Sequence, residues 1–322
     1  MHLIPSRIVP ANRLERLEQQ GVSRRDFLKF CAGMAAVLAV PATHTSLISR
    51  ALAAAPRLPM VWLAFQDCTG DSESFLRSGD PTVTTILLDL VSLDYHETLM
   101  APSGAQAEKS LYDTLAQYPG GYVAIVEGSI PTGANGFYCA IGGRSAQSIA
   151  QQVCSSALKT IAVGACAWDG GWPAAAPNPT AAVGVQTAVP GISLINMPGC
   201  PINVVNLTAV IVQYLTYTRW PDVDGSGRPY FAYGEEIHEE CERHHHYEAE
   251  RFVRAWGDEG HRKGWCLFKM GCKGPETKHN CNSVKWNSAT SWPIGAGHGC
   301  IGCASSRFWD TMTPFYRELP DD

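Results

Sequence analysis

The sequence predicts an α/β fold: a parallel sheet covered by helices, followed by an irregular domain held together by metal ligands. Three observations predict it. Short apolar runs alternate with amphipathic helical stretches before Trp220. Candidate ligands recur just after those runs. Beyond Trp220 the periodicity fades while ligands crowd, with His238, Cys241, Cys266, Cys272, Cys281, Cys300 and Cys303 inside residues 238–303. Thiolates select iron–sulfur clusters or zinc, and a histidine can replace one thiolate.

A chain of 322 residues, 45% hydrophobic and only 17% charged, can bury one large or two medium cores. The net charge is −5. Nucleic-acid binding rewards clustered basic charge, so this balance argues against it.

Residues 1–55 read as an address rather than a fold. Ser23-Arg24-Arg25-Asp26-Phe27-Leu28-Lys29 has the form of a twin-arginine signal, followed by the apolar stretch Phe30–Val40. Ala51-Leu52-Ala53 and Ala53-Ala54-Ala55 offer small-residue cleavage sites. Export by this route carries folded proteins, which suits a chain that receives its cofactors in the cytoplasm. Cleavage would remove Cys31 and leave an odd number of the 12 cysteines, so full internal pairing is excluded. No later run reaches the ~18 apolar residues of a membrane span, and the end Arg317–Asp322 carries no anchor pattern.

Residues 56–228 form the expected sheet domain. Met60–Phe65 is a short apolar strand. Ile86–Ser92 continues as apolar chain interrupted by Asp89, and Leu93-Asp94-Tyr95 closes it. Tyr122–Val126, Thr160–Val163 and Ile192–Met197 are further buried strands. Gly104–Tyr118 and Ala146–Leu158 are helical. Cys68 and Asp71 follow the first strand, Glu127 the Tyr122 strand, Cys166 the Thr160 strand, and Cys200 the Ile192 strand. Loops at the C-terminal ends of parallel strands converge on one edge, so these residues can meet there. Cys139 and Cys154 have no partner at ligand spacing and read as core. Pro221–Pro229 is a turn-rich linker. Residues 229–322 form the second domain, with one helix expected at Tyr247–Ala255 and its order supplied by metal sites.

The ordered motifs resemble the small subunit of a nickel–iron hydrogenase. They are Trp62–Gly70, Ser92–Tyr95, Gly164–Ala167, Pro198–Pro201, Ile237–Cys241, Gly264–Leu267, Gly271–Pro275 and Gly297–Cys303. The match runs from about Met60 to Tyr316. The resemblance implies a flavodoxin-like domain followed by an irregular cluster domain. It implies a proximal four-iron cluster on Cys68, Cys166 and Cys200, facing the large subunit. It assigns His238, Cys241, Cys266 and Cys272 to a distal four-iron cluster, and Cys281, Cys300 and Cys303 to a medial three-iron cluster. Hydrogen would be split at the nickel–iron centre of the partner large subunit. This chain would pass the electrons to a cytochrome or quinone-linked membrane acceptor, in the periplasm.

One position departs from the family pattern. Where a second proximal cysteine is usual, this chain has Asp71. Some oxygen-tolerant members use such an aspartate as a ligand, and a carboxylate favours oxidised iron. The alternative is that Asp71 salt-bridges nearby while the fourth site stays open or takes water. The other tolerant type adds two cysteines, at positions that here read Gly70 and Gly171. His244-His245-His246 reads as a solvated loop. Glu73 and Glu127 can serve proton movement, docking of the large subunit or plain hydrogen bonding. Trp286, Trp292 and Trp309 read as cluster shielding and subunit interface. Two other functions fit parts of the pattern. A hydrogen sensor uses the same pair of subunits, but the export signal argues against it. A zinc-stabilised interaction protein would not need ligands in groups of four, four and three.

Overall fold

The computed structural model describes residues 13–77 and 81–319. Three helices come first: α1 (Arg13–Gln19), α2 (Arg24–Val37) and α3 (Thr45–Ala54). The sheet domain then runs β1 (Leu58–Ala64), α4 (Gly70–Leu76), α5 (Pro81–Leu90), β2 (Val91–His96), α6 (Ala105–Gln117) and β3 (Val123–Glu127). It continues with α7 (Ala146–Ser155), β4 (Lys159–Val163), α8 (Gly164–Asp169), α9 (Val185–Ala188), β5 (Leu194–Met197) and α10 (Val204–Tyr217).

The five strands of the main sheet are all parallel, in the order β2-β1-β3-β4-β5. This is the flavodoxin-like order, with its switch point between β1 and β3. Side chains alternate across each strand. Val61, Leu63, Ala124, Val126 and Ala162 face one core, against residues of α6 and α7. Met60, Trp62, Val123, Ile125 and Ile161 face the other, against α10. Burial on both faces explains why these strands read as continuous apolar runs.

Several elements differ from expectation. Ile86–Leu90 is not strand but the end of α5, and β2 begins at Val91. In a helix Ile86 and Leu90 share a face, and both are fully buried. The apolar helix α10 carried no sequence expectation. Asn203 caps it, its side chain accepting from Val205 N at 3.0 Å. The Pro221–Pro229 linker is docked rather than free: Val223 bridges to Pro229, and Asn196 N on β5 donates to Gly227 O at 2.8 Å.

The largest difference is at the N-terminus. Residues 13–54 are not an address without a fold; they form an extra helical layer. Phe27, Phe30, Cys31 and Met34 repeat at helical spacing along α2. They pack with Leu17, Ile48 and Leu52 onto Ile86 and Leu90 of α5 and Ala209 and Val212 of α10. The layer is pinned by charge as well. Asp89 of α5 is 1% exposed. It accepts from Arg13 Nε at 2.8 Å, Arg16 Nη2 at 2.9 Å and Arg57 Nη2 at 3.3 Å. The paired Arg24 and Arg25 stay exposed at the start of α2.

Beyond Tyr233 the described residues contain only short helical turns and isolated bridges. The helix expected at Tyr247–Ala255 is displaced to His244–Glu248. Glu250 has φ of +51°, which ends any helix there. The two domains are fastened by side chains. Asn206 of α10 and Asn280 exchange reciprocal amide bonds of 2.9 and 3.1 Å. Tyr233 Oη donates to Pro198 O at 2.8 Å. Among the described residues, no helix is long and apolar enough to cross a membrane.

Candidate iron–sulfur sites

The sheet's C-terminal edge gathers the first group. Cys68 follows β1, Asp71 lies in the first turn of α4, Cys166 lies in α8, and Cys200 follows β5. Thr69 takes a left-handed φ of +60° to turn the chain into α4. That turn aims the backbone N–H groups of Asp71 and Ser72 at Glu127 Oε1, at 3.0 and 3.1 Å. Glu127 is fully buried and also accepts from Trp62 Nε1 at 2.9 Å and from the Ser72 hydroxyl. It works as a remote cap for α4 and fixes the loop carrying Cys68 and Asp71.

Asp71 is 7% exposed. Its Oδ1 accepts from Ile202 N at 2.6 Å. Its Oδ2 rests against Gly164, where a Cβ would come within 2.1 Å. Burial, with Glu127 and Asp67 adding negative charge, pushes its carboxyl up to about 8. Among the described residues, the charged groups acting on it are the acids Glu127 and Asp67. Cys166 and Cys200 are each pushed up to about 12, by burial first and then by negative neighbours that include Asp71 and Cys68. Three thiols and a carboxyl crowded without a cation form a donor set that a cationic iron cluster would fit. Gly171 allows this crowding, since a Cβ there would lie 2.3 Å from Cys166 Sγ.

The second group surrounds a cavity of about 330 Å³ lined by Cys281, Cys300, Cys303, Trp286, Trp292 and the proximal Cys200. The rest of its lining mixes apolar Ile237, Pro293 and Ile294 with polar Thr277, His279 and Ser291. Gly302 N donates to Cys300 Sγ at 3.3 Å. His279 Nδ1 lies 3.0 Å from Cys281 Sγ. Burial lowers that imidazole to about 4. Trp309 is buried with Phe308 beside Cys200 and Cys303.

The third group, His238, Cys241, Cys266 and Cys272, lines a narrower cavity with Arg243, Phe268 and Ile294. Arg243 N and Cys300 N donate to Cys241 Sγ and Cys272 Sγ at 3.4 and 3.3 Å. The His244–His246 run is not a free loop. It opens a helical turn, and His244 and Tyr247 pack their rings edge-on against His238 at 4.7 and 4.6 Å.

All eleven sequence-predicted ligands therefore fall into three neighbouring groups. Among the described residues, no three His, Cys, Asp or Glu side chains converge closely enough to hold a single ion. Cys281, Cys300 and Cys303 line one cavity, and His238, Cys241, Cys266 and Cys272 line another. Cys154 is core, and Cys139 packs against the same core. Sequence reasoning missed His279. Its only signal was a histidine two residues before a candidate ligand.

Candidate ligand groups of this kind, at the edge of a flavodoxin-like sheet and in an irregular domain, point to an iron–sulfur electron-transfer protein. Known proteins agree. Residues 233–316 match the C-terminal family of the NiFe/NiFeSe hydrogenase small subunit. Residues 68–214 match the family described as NADH ubiquinone oxidoreductase, 20 Kd subunit. The chain is 45% identical over 301 residues to the quinone-reactive Ni/Fe-hydrogenase small chain of Wolinella succinogenes, covering 93% of this chain and 85% of that one. It is 44% identical to the periplasmic NiFe hydrogenase small subunit 1 of Nitratidesulfovibrio vulgaris, covering 94% and 95%. The reduced, active nickel–iron–selenium hydrogenase of Desulfomicrobium baculatum superposes with a TM-score of 0.76 at 31% identity, over 82% of this chain and 100% of that one. The chain belongs to the nickel–iron hydrogenase small-subunit family. It is the electron-transfer subunit of an oxidoreductase acting on hydrogen, whose active site lies in the large subunit.

Proposed function

We propose that this chain carries electrons from the large subunit through a proximal four-iron cluster, a medial three-iron cluster and a distal four-iron cluster. The clusters supply one-electron carriers at fixed positions. Cys68, Asp71, Cys166 and Cys200 hold the first. Cys281, Cys300 and Cys303 hold the second, and His238, Cys241, Cys266 and Cys272 the third. The single observation that carries this reading is continuity. Cys200 lines the cavity of the second group, and Cys300 N donates to Cys272 of the third. Each group thus touches the next.

Asp71 is the fourth proximal ligand. Its buried carboxylate beside Gly164, with acids rather than cations around it, supports that role. Glu127 holds the loop, and Trp286 and Trp292 keep water from the medial site. Residues 1–55 serve as a twin-arginine leader for export to the periplasm, with Arg24 and Arg25 exposed for recognition. Residues 56–228 and 229–322 are the two functional domains. The acceptor is a cytochrome or quinone-linked membrane partner, a choice supported by the quinone-reactive relative.

An iron count with EPR on the purified heterodimer tests the reading. It expects about eleven irons in this chain and an oxidised three-iron signal. Zinc in place of iron, in protein prepared without oxygen or chelators, overturns it. Asp71→Ala is expected to change the proximal-cluster spectrum, and an unchanged spectrum removes Asp71 from the ligand set.

A further inference from the structure

We propose that His279 is a fixed hydrogen-bond donor to the Cys281 sulfur and that it raises the reduction potential of the medial cluster. The inference rests on the reading of Cys281, Cys300 and Cys303 as ligands of that cluster.

The ring is 3% exposed, with Nδ1 3.0 Å from Cys281 Sγ. Two restraints keep it there. Tyr233 packs edge-on against it, centroids 5.1 Å apart at 90°. Tyr233 is itself tied to Pro198 O, two residues before Cys200. The backbone is held as well, since His279 N donates to Glu235 O at 3.2 Å.

The tautomer follows from satisfaction of polar groups. A thiolate bound to iron carries no proton, so the nitrogen facing it must supply one. Among the described residues, Nε2 is buried with no hydrogen-bond partner. With the proton on Nδ1, Nε2 keeps only a lone pair. The other tautomer would bury an unpaired N–H and press a lone pair against sulfur, two unfavourable contacts in place of one good one.

A hydrogen bond to a cluster sulfur stabilises added negative charge, so it favours the reduced state. Trp286 lines the same cavity as Cys281. His279 thereby biases the middle carrier of the chain toward accepting an electron from the proximal side. It is a tuning residue, not a ligand.

The test uses the intact heterodimer in which all histidines carry ¹⁵N. In the oxidised state the three-iron cluster is the paramagnetic reporter. Pulsed EPR is expected to resolve a weak ¹⁵N coupling, of hydrogen-bond size. No histidine coupling overturns the proposal, and so does a coupling as large as that of a direct iron ligand. Absence of the three-iron signal itself would instead overturn the cluster assignment beneath it.

Redox titration of His279→Phe is expected to give a lower medial midpoint potential at unchanged iron content. His279→Gln, which keeps an N–H donor, is expected to recover most of the shift. Should the Phe variant lose iron, the labelled parent protein still decides. Equal potentials in parent and Phe variant would refute the tuning role.

Discussion

Asp89→Asn should uncouple residues 13–54 from the sheet domain while leaving the domain itself folded. Asp89 is buried beneath three arginines, of which Arg13 is nearly as inaccessible, at 3%. Breaking a buried ion pair by neutralising one member costs about 3–5 kcal/mol, because the other charge stays stranded. Arg13 keeps its bond to Leu52 O, which points to the low end, about 3 kcal/mol. In a chain starting at residue 56, Arg13 and Arg16 are gone. Only Arg57 remains, its side chain 40% exposed, and the same substitution should cost about 0–1 kcal/mol. Urea denaturation of both lengths, with and without the substitution, measures the difference. Acidity provides a second reading. Burial raises the Asp89 carboxyl, but the Arg16 hydrogen bond and the charges of Arg16, Arg13 and Arg57 outweigh it and hold it low. A group whose folded pKa is depressed stabilises above the unfolded value, about 3.9, and loses that contribution as pH falls through the folded value. The full-length chain should therefore lose this stabilisation only in acid. An equal cost in both lengths, or a cost below about 1 kcal/mol in the full chain, would refute the ion-pair account.

Three other outcomes follow from the site. Gly164→Ala puts a Cβ 2.1 Å from Asp71 Oδ2 at a φ of +79°. It should cost about 1–2 kcal/mol from backbone strain alone and displace the carboxylate, seen as lost proximal iron with the medial and distal spectra intact. Glu127→Gln turns an amide N–H₂ toward donors that need an acceptor, and about 1–3 kcal/mol should be lost, read as a lower Tm at unchanged distal-cluster spectrum. Iron removal by a chelator should collapse the near-ultraviolet signal of Trp265, Trp286 and Trp292, since the described residues of their domain contain only short turns and isolated bridges. The far-ultraviolet signal of the sheet domain should persist.

The sheet and the ligand positions were legible for the same reason. Parallel strands buried on both faces spell continuous apolar runs, and the residue after each run lands on the edge where ligands gather. The same property hid α5 and α10. A short apolar run does not distinguish a buried strand from a buried helix, and α10 is apolar almost all round. The helical layer of residues 13–54 was hidden because an apolar export segment and a core helix share one pattern. Only the tertiary partner of Phe27, Phe30 and Met34 tells them apart. The candidate ligand sets came from the resemblance of the motifs to the family, whereas the side chains that support them were not legible. Glu127 reaches Asp71 across 56 positions, and Tyr233 reaches His279 from a turn far back in the chain. No local pattern encodes such contacts.

The paired amides of Asn206 and Asn280 have a consequence for speed. Asn280 immediately precedes Cys281, and Asn206 sits on the helix that follows the Cys200 loop. On the proposed ligand sets, the pair would hold the first two carriers at a fixed separation. Electron tunnelling weakens exponentially with distance, so a hinge here would make transit erratic even with every ligand in place. Two complementary side chains, each donating and accepting, act as a spacer that keeps the gap from breathing.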